Sequence, residues 1–155
     1  MEVQKLTDAD KKSEVCKAIL EALPEWFGIP EAITDYTKSV RVQPFWVVID
    51  SENIIGFIAL TEHNKYTSEI NVMGVLPEYH RKGVGRLLVE TAEQFCREND
   101  IKMMLVKTLD FSSPDAGYAR TREFYLAMGY IPLQVLEGYW DENNPCLLLG
   151  KCLDH

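Results

Sequence analysis

The chain has 155 residues, 46% hydrophobic and 26% charged, which suits one soluble globular domain over residues 1–155 and argues against disordered, collagen-like or coiled-coil classes. Its 24 acidic side chains against 16 basic ones give a formal net charge of −8. That balance argues against non-specific binding to nucleic acid or an anionic membrane surface, because both rely on clustered Lys and Arg. It favours a cationic substrate only weakly.

Residues 1–6 alternate weakly and stop at Thr7-Asp8, a strand followed by a helix cap. They lack a basic segment leading into an apolar one, and no apolar run nears the roughly 18 residues of a membrane span. A cytoplasmic protein is expected. Residues 10–23 read as a helix, with Val15, Ile19, Ala22 and Leu23 at helical spacing and Pro24 as the stop. Pro30 suits the first position of a second helix, which carries Ala32, Ile33, Tyr36 and Val40 on one side.

Two β-rich runs follow, 45–50 and 54–61, joined by the hairpin-like Ser51-Glu52-Asn53. A third, 69–75, sets Ile70, Val72 and Gly74 against Glu69, Asn71 and Met73, so an antiparallel meander is expected. Residues 85–99 form an amphipathic helix, with Leu87, Leu88, Ala92 and Phe95 inward and Arg86, Glu90, Glu93 and Arg97 outward. A buried strand spans 101–106, a polar loop 110–117, and a helix 118–128 that Gly129 closes. Strands at 130–136 and 146–153 flank a loop around Asp141-Glu142-Asn143-Asn144-Pro145. Cys16, Cys96, Cys146 and Cys152 form no C-x-x-C pair. They read as reduced, mostly buried thiols, and no metal is expected.

The segment that carries chemistry is Val75-Leu76-Pro77-Glu78-Tyr79-His80-Arg81-Lys82-Gly83-Val84-Gly85-Arg86. It places a strand end, two glycines and basic side chains directly before a helix. Free N–H groups and the positive end of the helix dipole make that arrangement an anion site. Leu88 stands where a dinucleotide fingerprint wants its third glycine, and G-K-[ST] is absent.

The segment resembles the acetyl-CoA signature V-x-P-x-x-[QR]-x-x-G-x-[GA] of the GNAT superfamily of N-acetyltransferases, through Val75, Pro77, Gly83 and Gly85. His80 stands where the family usually has Gln or Arg. Phe124-Tyr125-Leu126-Ala127-Met128-Gly129-Tyr130 is similar to a second family segment, F-Y-x-x-x-G-[FY]. The resemblance implies one α/β domain with a mixed, mostly antiparallel sheet of about six to seven strands flanked by about four helices. It also implies transfer of the acetyl group of acetyl-CoA to a primary amine on a small molecule or peptide.

By the same resemblance, the backbone around Met73, Gly74 and Val75 pairs with the pantetheine arm. Arg81, Lys82, Gly83, Val84, Gly85 and Arg86 hold the pyrophosphate, and Tyr125 protonates the leaving thiolate. Tyr118 stands where members often carry Asn. Glu69 is the candidate general base, ahead of His63 and His80. Trp26, Phe27, Tyr36, Trp46, Tyr139 and Trp140 are candidate walls of an acceptor pocket, and Asp141 and Glu142 candidate anchors for a cationic acceptor. Family members often dimerise through their C-terminal strands. Two other readings compete: a non-catalytic acyl-CoA or nucleotide-binding module, and a small Rossmann-like oxidoreductase, which the hairpin-rich first half opposes.

Overall fold

Asp8 begins the first helix as its spacing suggests: the side chain accepts a hydrogen bond from the Lys11 amide at 3.1 Å, satisfying one of the helix's orphan donors. The computed structural model describes residues 1–112 and 116–153. In chain order its elements are β1 (Glu2–Leu6), α1 (Ala9–Glu21), α2 (Pro30–Ser39), β2 (Phe45–Asp50), β3 (Asn53–Glu62) and β4 (Thr67–Val75). They continue with α3 (Val84–Glu98), β5 (Met103–Leu109), α4 (Ala116–Ala127), β6 (Ile131–Asp141) and β7 (Asn144–Cys152). Among the described residues no helix is long and apolar enough to cross a membrane.

The strands form one seven-stranded mixed sheet in the order β1-β2-β3-β4-β5-β7-β6. All neighbours are antiparallel except β4 and β5, which α3 connects as a crossover. One face of the sheet buries Trp46, Ile58, Met104 and Leu149 against Leu88 of α3 and Tyr125 of α4. The other buries Phe45, Phe57 and Val72 against Leu20 of α1, with Tyr36 of α2 packed alongside.

Several local expectations change. The hairpin between β2 and β3 is a two-residue turn in which Ser51 and Glu52 both take positive φ, 50° and 71°, the twist that suits a tight β-hairpin. The predicted strand 101–106 runs on to Leu109, carrying Lys107 and Thr108 into the sheet. The predicted loop at 141–145 is a tight turn, because β6 extends to Asp141 and β7 starts at Asn144. In the predicted loop 110–117, residues 113–115 lie outside the described residues.

The alternation predicted for β4 breaks at Asn71. The pairing with β3 passes from Leu60↔Ile70 to Ala59↔Val72, leaving Asn71 as a bulge. Ile70 therefore faces the α3 side, whereas Val72 faces α1, although they are two residues apart.

Glu93, expected on the outer face of α3, is 2% exposed. Its carboxylate accepts hydrogen bonds from the Tyr130 hydroxyl at 2.8 Å and from Lys151 Nζ at 2.9 and 3.1 Å, and Arg97 lies 3.8 Å away. The charge is tolerated because Lys151, from the far end of the chain, and Arg97, one turn along α3, compensate it while the Tyr130 hydroxyl satisfies a further lone pair. Lys151→Met removes the principal one and should lower the unfolding free energy by about 3 kcal/mol, read from urea denaturation. Combining it with Glu93→Leu should recover most of that loss.

Candidate functional site

β4 and β5 pair only from Thr67↔Met103 to Ile70↔Val106 and then part. β4 continues for five residues beyond the last pair. The Leu76 amide bonds to the Ile55 carbonyl at 2.9 Å on the β3 side. By the alternation of an antiparallel ladder, the amides of Met73 and Val75 point the other way, into the gap that β5 has left. Gly74 lies between them and lets α1 come close: a Cβ there would stand 2.9 Å from Ile19 Cγ2.

Beyond β4, one 3-10 turn at Pro77–Tyr79 leads into the glycine segment. Arg81 and Gly83 take left-handed φ of 63° and 81°. For Arg81 that conformation costs about 1 kcal/mol. Gly83 is the N-cap of α3, and no side chain caps the helix. A Cβ on Gly83 would meet nothing within 4 Å, so glycine serves the backbone angle and not a lack of room. Leu87 N bonds back to Gly83 O at 3.0 Å. The amides of Val84, Gly85 and Arg86 are left for an acceptor outside the helix, at the positive end of its dipole.

Both features open on one cleft of about 770 Å³, within the size range of small-molecule sites. Arg81, Gly83, Val84, Gly85 and Arg86 line it, as do Met73, Gly74 and Val75. Lys82 instead sets its ammonium 5.5 Å from the Tyr79 ring. His80 lines the cleft, and its Nε2 donates to the Val75 carbonyl at 2.7 Å, closing one of the main-chain groups on the open edge.

Tyr125 also lines the cleft, 5% exposed and edge-on to Phe124 and Tyr130 at 5.2 and 5.7 Å. Burial, and then the charges of Tyr118 and Tyr36, push its hydroxyl well above the ordinary tyrosine range. Glu69 is 7% exposed and stands one step behind the cleft wall. It accepts two hydrogen bonds from Lys107, at 2.7 and 2.9 Å, while His63 Nε2 lies 2.7 Å from its Oε1. Lys107 lines the cleft. Burial would lower its pKa, but the hydrogen bonds and charge of Glu69 outweigh that and raise it.

Of the aromatic candidates, Trp26, Phe27, Tyr36 and Trp140 line the cleft. Trp46 packs on Phe95 elsewhere, and Tyr139 lies beneath the Lys107 ammonium. Asp141 accepts from Asn143 N at 2.8 Å and from Asn144 Nδ2 at 2.9 Å, within its own turn. The charged lining is Arg81, Arg86, Lys107 and Arg120 against Glu123, alongside His80. Sequence reasoning missed Thr108, which lines the cleft with a buried hydroxyl that has no hydrogen-bond partner among the described residues. Its signal was a polar pair, Lys107-Thr108, inside an apolar strand.

A family model described as an acetyltransferase (GNAT) domain matches residues 41–132. An uncharacterized N-acetyltransferase of Chlorobaculum tepidum is 35% identical over 70 residues, 45% of this chain and 45% of that protein, so the match spans less than half of that relative's length. Among solved structures, a GNAT-family protein from Desulfovibrio desulfuricans superposes with a TM-score of 0.84 at 15% identity, covering 99% of both chains. An aminoglycoside 6′-N-acetyltransferase complexed with coenzyme A gives 0.80 at 16% identity, covering 100% of this chain and 98% of that one. With a family match over more than half of its length and a fold shared from end to end, the chain belongs to the GNAT acetyltransferase family.

Proposed function

We propose that residues 1–155 act as a single, cytoplasmic N-acetyltransferase domain that moves the acetyl group of acetyl-CoA to a primary amine. The observation that carries this reading is the uncapped start of α3 beside the open amide edge of β4, both facing one cleft that Tyr125 also lines. The α3 amides, Arg81 and Arg86 receive the pyrophosphate. The edge at Met73 and Val75 receives the pantetheine arm as an added strand would be received. Thr108 supplies a hydroxyl to the same arm.

Acetyl-CoA brings the acetyl group as a thioester, already activated toward amines. The chain's part is to align it, exclude water and manage protons. The acceptor nitrogen bonds to the acetyl carbon, the carbon–sulfur bond breaks, and the sulfur takes the Tyr125 proton. The hydroxyl is protonated throughout the physiological range, and burial, by raising its pKa, makes it a weaker acid that gives up its proton only to the strongly basic thiolate as the carbon–sulfur bond breaks. Glu69 receives the proton that the amine sheds. Its path from the cleft runs past Lys107, and its link to solvent is His63, whose side chain is 40% exposed.

The acceptor surface is aromatic, formed by Phe27, Tyr36 and Trp140, and we read the acceptor as a small molecule or peptide bearing a primary amine. The relative crystallised with coenzyme A acts on an aminoglycoside. Among the described residues, Glu123 is the one carboxylate lining the cleft, against Arg81, Arg86, Lys107 and Arg120, a balance that does not favour such a polycation. We also propose a homodimer through β6, an edge strand that exposes Ile131, Leu133 and Val135 at 60%, 47% and 40%.

Gly83→Glu should abolish acetyl-CoA binding in calorimetry while the protein stays folded, because a carboxylate would then sit where the phosphates bind. Unchanged affinity would remove the phosphate assignment. Tyr125→Phe should lower kcat at least tenfold with little change in KM, the pattern of an interaction made only in the transition state. An unaltered kcat would favour a module that binds acyl-CoA without transferring it. Ile131→Glu combined with Val135→Glu should convert a dimer to a monomer in sedimentation velocity, and a wild type that is already monomeric would dismiss that interface.

A further inference from the structure

Pro24 follows the first helix, and the chain turns back over the cleft before α2 begins. Trp26 and Phe27 bond through their amides to Leu23 O at 3.1 and 2.9 Å. This short turn holds both lips of the cleft at once. On one lip, the Tyr118 hydroxyl of α4 donates to the Trp26 carbonyl at 2.8 Å, across 92 residues of sequence. Arg120 of the same helix lies 5.9 Å from the Trp26 ring and 3.7 Å from the Glu25 carboxylate. On the other lip, the Trp26 ring meets His80 edge-on at 5.7 Å, and His80 is itself tied to the Val75 carbonyl.

The result is a continuous span from the end of β4, through His80 and Trp26, to Tyr118 on α4. All three side chains line the cleft that Gly83 and Arg86 also line. Positions 80 and 118 are where the sequence departs from the family pattern, and Trp26 is what those two residues share.

We propose that Trp26, fastened to Tyr118 and resting on His80, is a clasp over the cofactor: a binding element that encloses the pantetheine arm against the β4 edge and slows its departure. This rests on the acetyl-CoA reading of the cleft. An extended arm paired on one edge exposes its other side to water, and an indole laid across it removes that side from solvent without requiring a charged partner. The fastening is one neutral hydrogen bond, one exposed ion pair and ring contacts. Each is weak enough to open on the microsecond-to-millisecond scale of loop motions. The clasp therefore retards exchange of the ligand without blocking it.

The test is the dissociation rate of coenzyme A from the immobilised full chain, measured by surface plasmon resonance for wild type, Tyr118→Phe, Trp26→Ala and Trp26→Phe. Tyr118→Phe keeps the ring and removes only the fastening hydroxyl, so the rate should rise about five- to tenfold with an unchanged melting temperature. Trp26→Ala should raise it further, and Trp26→Phe should restore most of the slow release. In the free protein, hydrogen exchange at the Trp26 and Phe27 amides should quicken in Tyr118→Phe. A wild type that binds coenzyme A with the same dissociation rate as Tyr118→Phe and Trp26→Ala overturns the clasp alone. A wild type that does not bind coenzyme A overturns the acetyl-CoA reading and the clasp with it.

Discussion

A strand in the interior of a sheet has main-chain donors and acceptors on both edges, and each must find a partner. β4 meets that requirement along its β3 edge on either side of the Asn71 bulge, but on its β5 edge only as far as Ile70. The parting follows from the join between two antiparallel halves, β1 to β4 and β5-β7-β6, through a parallel contact of four residue pairs with α3 as the crossover. Everything at the site is arranged around the unpaired stretch. The bulge at Asn71 begins it, His80 satisfies one of its carbonyls, and the glycine segment leads from its end to the start of α3. The fold thus presents an amide edge and an anion site in line. On the acetyl-CoA reading, the amide-bearing arm of the ligand meets the open edge and its phosphorylated end meets the start of α3.

The bulge has a second effect. Had β4 kept a regular alternation, Ile70 and Val72 would share a face, and Met73 and Val75 would lie opposite Ile70. With Asn71 looped out, Ile70, Met73 and Val75 pack on the α3 side together. Val72 and the bare Cα of Gly74 face α1 instead. One residue without a ladder partner sets which side chains frame the cleft and which anchor the helix behind it.

Local signals were legible wherever the physics was local. Asp8 as a cap, Pro30 opening α2 and the glycines before α3 each act on their immediate neighbours, and each stands where its chemistry suggests, whereas α1 ends at Glu21, two residues short of the end expected from Pro24. Glu93 was misread because its surroundings come from elsewhere in the chain: Tyr130 lies 37 residues away in sequence and Lys151 58. A helical wheel that holds only the partners of α3 puts that carboxylate outside. Lys107 and Thr108 escaped for the same reason, since their polarity is explained by Glu69 and by the cleft, and not by their own strand. Of the candidate site, the glycine segment before α3 and Tyr125, which both line the cleft, could be singled out from spacing and resemblance. The Trp26–Tyr118 contact could not, because a hydrogen bond from a hydroxyl to a distant carbonyl leaves no pattern in sequence.

Charge shows how composition and site can point in opposite directions. The chain as a whole is acidic, with a formal net charge of −8, yet the charged side chains that line its cleft are mostly basic. At physiological ionic strength charges are screened over about 8 Å. Carboxylates spread over the surface therefore act weakly at the cleft, whereas Arg81, Arg86 and the α3 amides would act on the phosphate of the proposed cofactor at contact distance. Net charge governs solubility and long-range encounter, and the first turn of a helix governs what is held. The acidic surface slows the approach of an anionic ligand without deciding its affinity. On the proposed reading the same logic applies to the acceptor, whose amine would come beside the Lys107 ammonium, already paired with Glu69. A neighbouring cation favours an uncharged amine over an ammonium ion, and the uncharged form is the one that can attack.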